Sequence, residues 1–180
     1  MTKQENKNFI YTPMVQVGIY ETLLSNLDTN FWIKECYNLK SSFPSRQISN
    51  EGGWQSENIL EKPEFFNLIN FLYPFLINFY KLPSIKILEM WVNISGFGDF
   101  NLVHNHVLHS HSASNFSGVL YLKVPPKSGN IVFYNPITFS DQLDVSTEEK
   151  LLILFPSLLH HSVKPNLSKE DRISIAFNYG

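Results

Sequence analysis

Thiol chemistry is almost missing from this chain: Cys36 is the single cysteine in 180 residues, so neither an intramolecular disulfide nor a thiolate-rich zinc or iron–sulfur site can form. An excess of charge of one sign is missing too. Fourteen Lys and Arg stand against sixteen Asp and Glu, a formal charge of −2, which leaves no basic field to hold a phosphate backbone non-specifically. Long apolar runs are also lacking. The most apolar stretch, Phe65 to Leu82, is interrupted by Asn67, Asn70, Pro74 and Asn78, and the opening MTKQENKNFIYTP has no signal-type apolar core. These features predict a soluble, cytoplasmic protein with no membrane partner. There is no G-x-S-x-G elbow, G-x-G-x-x-G turn or phosphate loop to point toward a serine hydrolase or a nucleotide fold. What is present, 43% hydrophobic residues over 180, suffices for one buried core and predicts a single domain over 1–180.

Apolar residues between Val17 and Leu39 recur at roughly helical spacing, with Asp28-Thr29-Asn30 as a break and N-cap, and predict two short helices. From Lys62 to Lys81, Pro63 suits a first helical position. Phe65, Phe66, Ile69, Leu72, Phe75, Leu76 and Phe79 then make a broad apolar face, predicting one helix that bends at Pro74. After Pro83 the texture changes to short runs rich in β-formers: 85–94, 117–124, 130–134, 151–155, 159–163 and 172–179. A helical part over about 17–82 followed by a strand-rich part over about 84–180 predicts an α+β layout, with helices buttressing a β-sandwich or small barrel.

All six histidines fall in two clusters, His104, His106, His109 and His111 in HNHVLHSH and the pair His160-His161. Side chains two apart on a strand share a face, so His104 and His106 can meet on one ion, with the distant pair supplying a third ligand. Three protein donors leave positions open for substrate and dioxygen, as a mononuclear non-haem iron oxygenase requires. Parity separates the later pair: His161 alternates with Leu159 and Val163, whereas His160 alternates with Ser162 and Lys164. The apolar series should face inward, making His161 the ligand and His160 a rim residue. In the last strand, Arg172, Ser174, Ala176 and Asn178 share one face, and Ile173, Ile175, Phe177 and Tyr179 the other. An inward Arg172 needs a regular carboxylate partner, which a dicarboxylate co-substrate would provide unless Glu170 or Asp171 does so.

The segments WVNISGFGDFNLVHNH, FSGVLYLKVPPKSGNIVF and LLILFPSLLHHSVKPNLSKEDRISIAFN, with SNEGGWQS upstream, resemble the 2-oxoglutarate/iron(II) oxygenase family of bacteria and tailed phages, within the prolyl hydroxylase superfamily. The resemblance implies a double-stranded β-helix, a cupin-like jelly roll, behind N-terminal helices. It implies Fe(II) on His104, His106 and His161, and 2-oxoglutarate gripped by Arg172 and Ser174, with the Tyr121 hydroxyl added. Measured back from Ser117-Gly118-Val119, however, His109 and His111 fit the family's spacing, so both first pairs stand. A further departure is His106 where the superfamily usually carries a carboxylate.

The implied activity is hydroxylation of a small-molecule or peptide substrate with O2, releasing succinate and CO2. The alternatives are a three-histidine, cupin-like dioxygenase needing no co-substrate, or a catalytically silent metal-binding module. Substrate recognition is expected from the loops 107–115 and 138–147. Trp54, beside Gly52 and Gly53, is either a substrate-facing group or an anchor of its turn to the core.

Overall fold

A computed structural model describes residues 17–80, 85–107 and 116–180. The helix α1 (Thr29–Ser42) starts where expected: the Asp28 carboxylate accepts a hydrogen bond from the Asn30 backbone N–H at 3.1 Å, satisfying an orphan donor of the first turn. Its buried residues Trp32, Cys36 and Leu39 recur every three to four positions and face the core. Pro63 opens a 3₁₀ turn (Pro63–Phe65) that runs into α2 (Phe66–Tyr80), where Leu68, Ile69, Leu72 and Leu76 are buried and Pro74 sits inside the helix.

The helix expected before Asp28 is instead a strand, β1 (Tyr20–Leu23), paired antiparallel with β9 (Leu151–Pro156). The open edge of β9 supplies backbone partners that outweigh a weak local helical spacing. Two further short strands, β2 (Asn50–Glu51) and β3 (Trp54–Gln55), also fall within the part read as helical. They are joined by a turn through Gly52 and Gly53, both at positive φ, which carries the chain from β5 (Phe100–His104) in one sheet to β4 (Ile87–Ser95) in the other.

The remaining strands are β4 (Ile87–Ser95), β5 (Phe100–His104), β6 (Phe116–Lys123), β7 (Ile131–Tyr134), β8 (Gln142–Val145), β10 (His161–Val163) and β11 (Arg172–Tyr179). They build a six-stranded sheet, β1-β9-β6-β11-β4-β3, and a five-stranded sheet, β2-β5-β10-β7-β8. From β4 onward the chain switches sheets at nearly every connection, so the two sheets wind together as a double-stranded β-helix. β8 lies within the 138–147 segment expected to be a recognition loop, and forms the outer edge beside β7.

Two apolar clusters result. The larger fills the space between the helices and the outer face of the six-stranded sheet, taking Ile173, Ile175, Phe177 and Tyr179 from β11. The smaller lies between the sheets around Ile153, Phe155, Phe133 and Leu159. The opposite face of β11, carrying Arg172, Ser174, Ala176 and Asn178, lines a cavity of about 290 Å³ between the sheets. Strand alternation thus divides β11 between scaffold and cavity.

Candidate metal and co-substrate site

β5 and β10 bring the two histidine clusters together, since His104 and His161 are direct partners across the antiparallel pair, with ring centroids 4.3 Å apart. His106 lies just past the end of β5, where its backbone N–H donates to the Ser157 carbonyl at 2.9 Å. Its ring stands 5.1 Å from that of His104 and 5.0 Å from that of His161. One nitrogen from each of the three imidazoles falls within 4.8 Å of the others, an arrangement able to hold a metal ion.

The hydrogen bonds direct these rings. A carbonyl can only accept, so His161 Nδ1–H donates to Leu159 O at 3.0 Å and His104 Nδ1–H donates to Leu102 O at 2.7 Å. Both Nε2 lone pairs are thereby aimed inward, with the outer N–H groups fixing tautomer and tilt. The Nε2 atoms of His106 and His161 are 3.3 Å apart. Two imidazoles bound at roughly 2.1 Å to one ion at a tetrahedral or octahedral angle would bring their nitrogens to about that separation. The donor set fits a borderline divalent ion with open positions, and it carries no carboxylate.

Apolar walls surround the imidazoles. Phe155 meets His161 edge-on at 4.8 Å, and Trp91 lies 5.5 Å from His106. Burial holds the His161 imidazole well below its usual protonation range, and nearby His104 and His106 push the same way, so the ring stays neutral and fit to bind a cation. His160 points away: its Nε2 accepts from Asn105 Nδ2 at 3.1 Å, tying the residue between His104 and His106 to the β10 entrance. Ser49 is a contact not anticipated from the sequence. Its hydroxyl accepts from Asn101 Nδ2 at 3.2 Å and lies 3.3 Å from His104 Nε2. His109 and His111 lie outside the described residues.

Arg172 faces the same cavity and is 3% exposed. It pairs with neither neighbouring acid, for Glu170 binds Lys123 at 3.0 Å and Asp171 accepts from the Tyr37 hydroxyl at 3.0 Å. Among the described residues no carboxylate forms an ion pair with it. Its Nη1 instead donates to the carbonyls of Ser128, Gly129 and Lys164, and Nη2 donates to the Ser95 hydroxyl at 3.2 Å. Burial disfavours the cation and Tyr121 and Asp99 oppose that effect, so the guanidinium keeps its charge at the cost of needing an anion.

Ser174 is two residues along the same face and sits directly beside Tyr121 of β6. Both residues line the cavity. Burial pushes the Tyr121 phenol up to about 12, which keeps it a donor. A guanidinium flanked by two hydroxyls is a receptor for a carboxylate. The residues present therefore fit both groups expected from the sequence, a divalent ion at one place in the cavity and a dicarboxylate tail at another. Trp54 takes the scaffold role: it is 6% exposed and its indole N–H donates to the Phe43 carbonyl at 3.0 Å.

Residues 89–178 match the family model described as 2OG-Fe(II) oxygenase. A search of curated proteins returns no match. Among solved structures, the fold is similar to that of the non-heme α-ketoglutarate-dependent epimerase SnoN of nogalamycin biosynthesis, at TM-score 0.76 and 14% identity over 91% of this chain and 78% of that one. A Pseudomonas putida prolyl-4-hydroxylase aligns at TM-score 0.64 and 17% identity, over 90% of this chain and 92% of that one. HygX from Streptomyces hygroscopicus, solved with nickel and 2-oxoglutarate bound, aligns at TM-score 0.69 and 13% identity, over 91% and 83%. At such identities the likeness carries the fold. No helix of the described residues is long and apolar enough to cross a membrane.

Proposed function

The chain belongs to the 2OG-Fe(II) oxygenase family, and from that premise we propose that it hydroxylates a small-molecule or peptide substrate with iron(II) held by His104, His106 and His161 and 2-oxoglutarate held by Arg172, Ser174 and Tyr121. One observation carries the assignment of residues: a buried guanidinium without a carboxylate partner opens onto the same cavity as three converging imidazoles. When bound, the iron and 2-oxoglutarate would couple oxidative decarboxylation of the co-substrate, to succinate and CO2, to hydroxylation of the substrate.

The chain's own contribution is positional. Leu159 O and Leu102 O hold the outer nitrogens of His161 and His104 as N–H donors, so that the inner nitrogens would face the ion. Arg172 orients a dicarboxylate by one end, its Nη1 pinned by backbone carbonyls so that the rest of the fork faces the cavity. Phe155, Phe133 and Trp91 exclude water from the rings and confine reactive species to the substrate side. The three-histidine donor set suggests a dioxygenase that needs no co-substrate, but such an enzyme would have no use for a buried cation at this position.

Anaerobic titration with iron(II) and then 2-oxoglutarate tests the reading. A weak metal-to-ligand charge-transfer band should appear at one equivalent of each. Iron binding with no band after addition of 2-oxoglutarate would reject the co-substrate.

A further inference from the structure

Strand pairing sets two of the three imidazoles and leaves the third to other bonds. His104 is the last residue of β5 and the direct partner of His161 in β10, whereas His106 lies beyond the strand. The distance from His106 to His161 therefore depends on how the chain at 105–107 is fastened to the turn at 157–160, which leads into a β10 only three residues long. Two bonds fasten it. The His106 backbone N–H donates to Ser157 O at 2.9 Å, and Asn105 Nδ2 donates to His160 Nε2 at 3.1 Å.

The surroundings fix the sense of the second bond. Val107 N–H can only donate, and it donates to Asn105 Oδ1 at 3.3 Å, so Nδ2 is the edge of the carboxamide turned to His160 and the ring nitrogen accepts. The accepting residue is itself buttressed. Its backbone carbonyl accepts from Tyr134 N–H at 2.9 Å. Phe139 meets the His160 ring edge-on, with centroids 5.5 Å apart and planes at 74°, and stacks on Tyr134 at 5.0 Å. The Tyr134 hydroxyl in turn lies 3.0 Å from that of Ser162. Phe139 keeps this place at φ +56°, a left-handed backbone that costs a side-chain-bearing residue energy and persists where its surroundings demand it.

We propose that Asn105 and His160 are positioning residues, a clamp outside the cavity that fixes His106 relative to His104 and His161; this rests on the three-histidine reading above. Asn105 stands between two of the donors in the chain, and His160 immediately precedes the third. Their bond therefore closes a loop of chain that contains all three, and neither residue lines the cavity itself. A donor set without a carboxylate exerts no charge attraction on the ion, so affinity rests on how well three imidazole nitrogens are placed. Breaking the clamp loosens 105–107 against the turn and takes the His106 nitrogen out of reach of an ion held by the other two for part of the time. Contacts that orient a ligand from behind are worth roughly ten- to a hundredfold in metal affinity.

The test is titration of the whole chain with cobalt(II), reading the dissociation constant and the visible ligand-field absorption, alongside thermal melting of the metal-free proteins. The parent is expected to bind one ion per chain. Asn105→Ala and His160→Phe should each raise the dissociation constant by roughly ten- to a hundredfold and shift the absorption, whereas His160→Gln, which keeps an acceptor at similar reach, should stay within about threefold of the parent. Asn105 is half-buried outside any strand, so its alanine variant should fold. Parent-like affinity and absorption in both Asn105→Ala and His160→Phe overturn the clamp, as does a His160→Gln variant as weak as His160→Phe. Lower melting temperatures with the cobalt absorption unmoved also overturn it, because they mark a scaffold role alone. A parent that binds no cobalt sinks the three-histidine reading and the clamp with it.

Discussion

His104 and His161 are direct partners across the β5–β10 pair, so one step of antiparallel register sets the distance between two candidate ligands 57 residues apart in sequence. Neither ring is held by a loop alone. Rigid placement of this kind lowers the cost of gathering ligands around an ion.

His161→Ala removes the most buried of the three imidazoles. Iron stoichiometry is expected to fall from one per chain to below a tenth at micromolar metal, and succinate formation from 2-oxoglutarate should be lost. Metal analysis after desalting, paired with a succinate assay, checks both. Full turnover by this variant would remove the imidazoles from the mechanism.

Arg172→Lys keeps a positive charge but loses the planar fork and its carbonyl-pinned Nη1. The KM for 2-oxoglutarate should rise by a hundredfold or more while iron binding holds. Steady-state kinetics over a wide co-substrate range gives the answer. An unchanged KM would instead favour a dioxygenase that uses no co-substrate.

Gly129 sits at φ +87°, and a Cβ there would come 2.3 Å from Lys164 O and 2.8 Å from Pro165 O. Gly129→Ala must therefore shift two of the carbonyls that grip Arg172, those of Gly129 and Lys164. A loss of roughly 2–4 kcal/mol of stability is expected, along with weaker 2-oxoglutarate binding. Chemical denaturation and a co-substrate titration report the two effects separately.

Tyr121 supplies a pH dependence with a definite sign. Its phenol is raised from an ordinary value of 10.0 to about 12 by burial, so the unfolded chain releases this proton first. The group's contribution to stability is intact below about pH 10 and is lost as pH rises through about 12, by roughly 2–3 kcal/mol in total. In urea titrations of metal-free protein at about pH 9 and about pH 12, Tyr121→Phe should lose less stability between the two than the parent. Tyr37, also raised to about 12, contributes equally to both proteins and cancels in the comparison. Equal losses would mean that the phenol ionises freely in the fold.

Much of the site was legible because strand parity is a local rule. Alternation of His161 with Leu159 and Val163 was enough to orient it toward the interior, where it lies at 4% exposure, whereas for Arg172, 3% exposed, alternation gave only the face it shares with Ser174 and the family resemblance gave its co-substrate role. The N-cap at Asp28 and the start at Pro63 were legible for the same reason. What escaped depends on distant chain. Tyr20–Leu23 is a strand only because β9 presents an edge 130 residues later, and Gln55 reaches the cavity only because a two-glycine turn carries the chain between sheets. Ser49 beside His104 and Asn105 beside His160 likewise arise from contacts more than fifty residues apart. No spacing within a single segment encodes them.

The two-sidedness of β11 couples properties that are usually separable. Its odd-numbered residues knit the sheet to the helices, and its even-numbered ones face the cavity from the co-substrate anchor to Asn178. A one-residue slip would trade a guanidinium for an isoleucine at the anchor and drive charge into the oily layer behind. Wear on the hidden side of this ribbon, such as trimming Ile175 or Phe177, should be felt first as poorer grip on small anions, before the molecule as a whole comes apart.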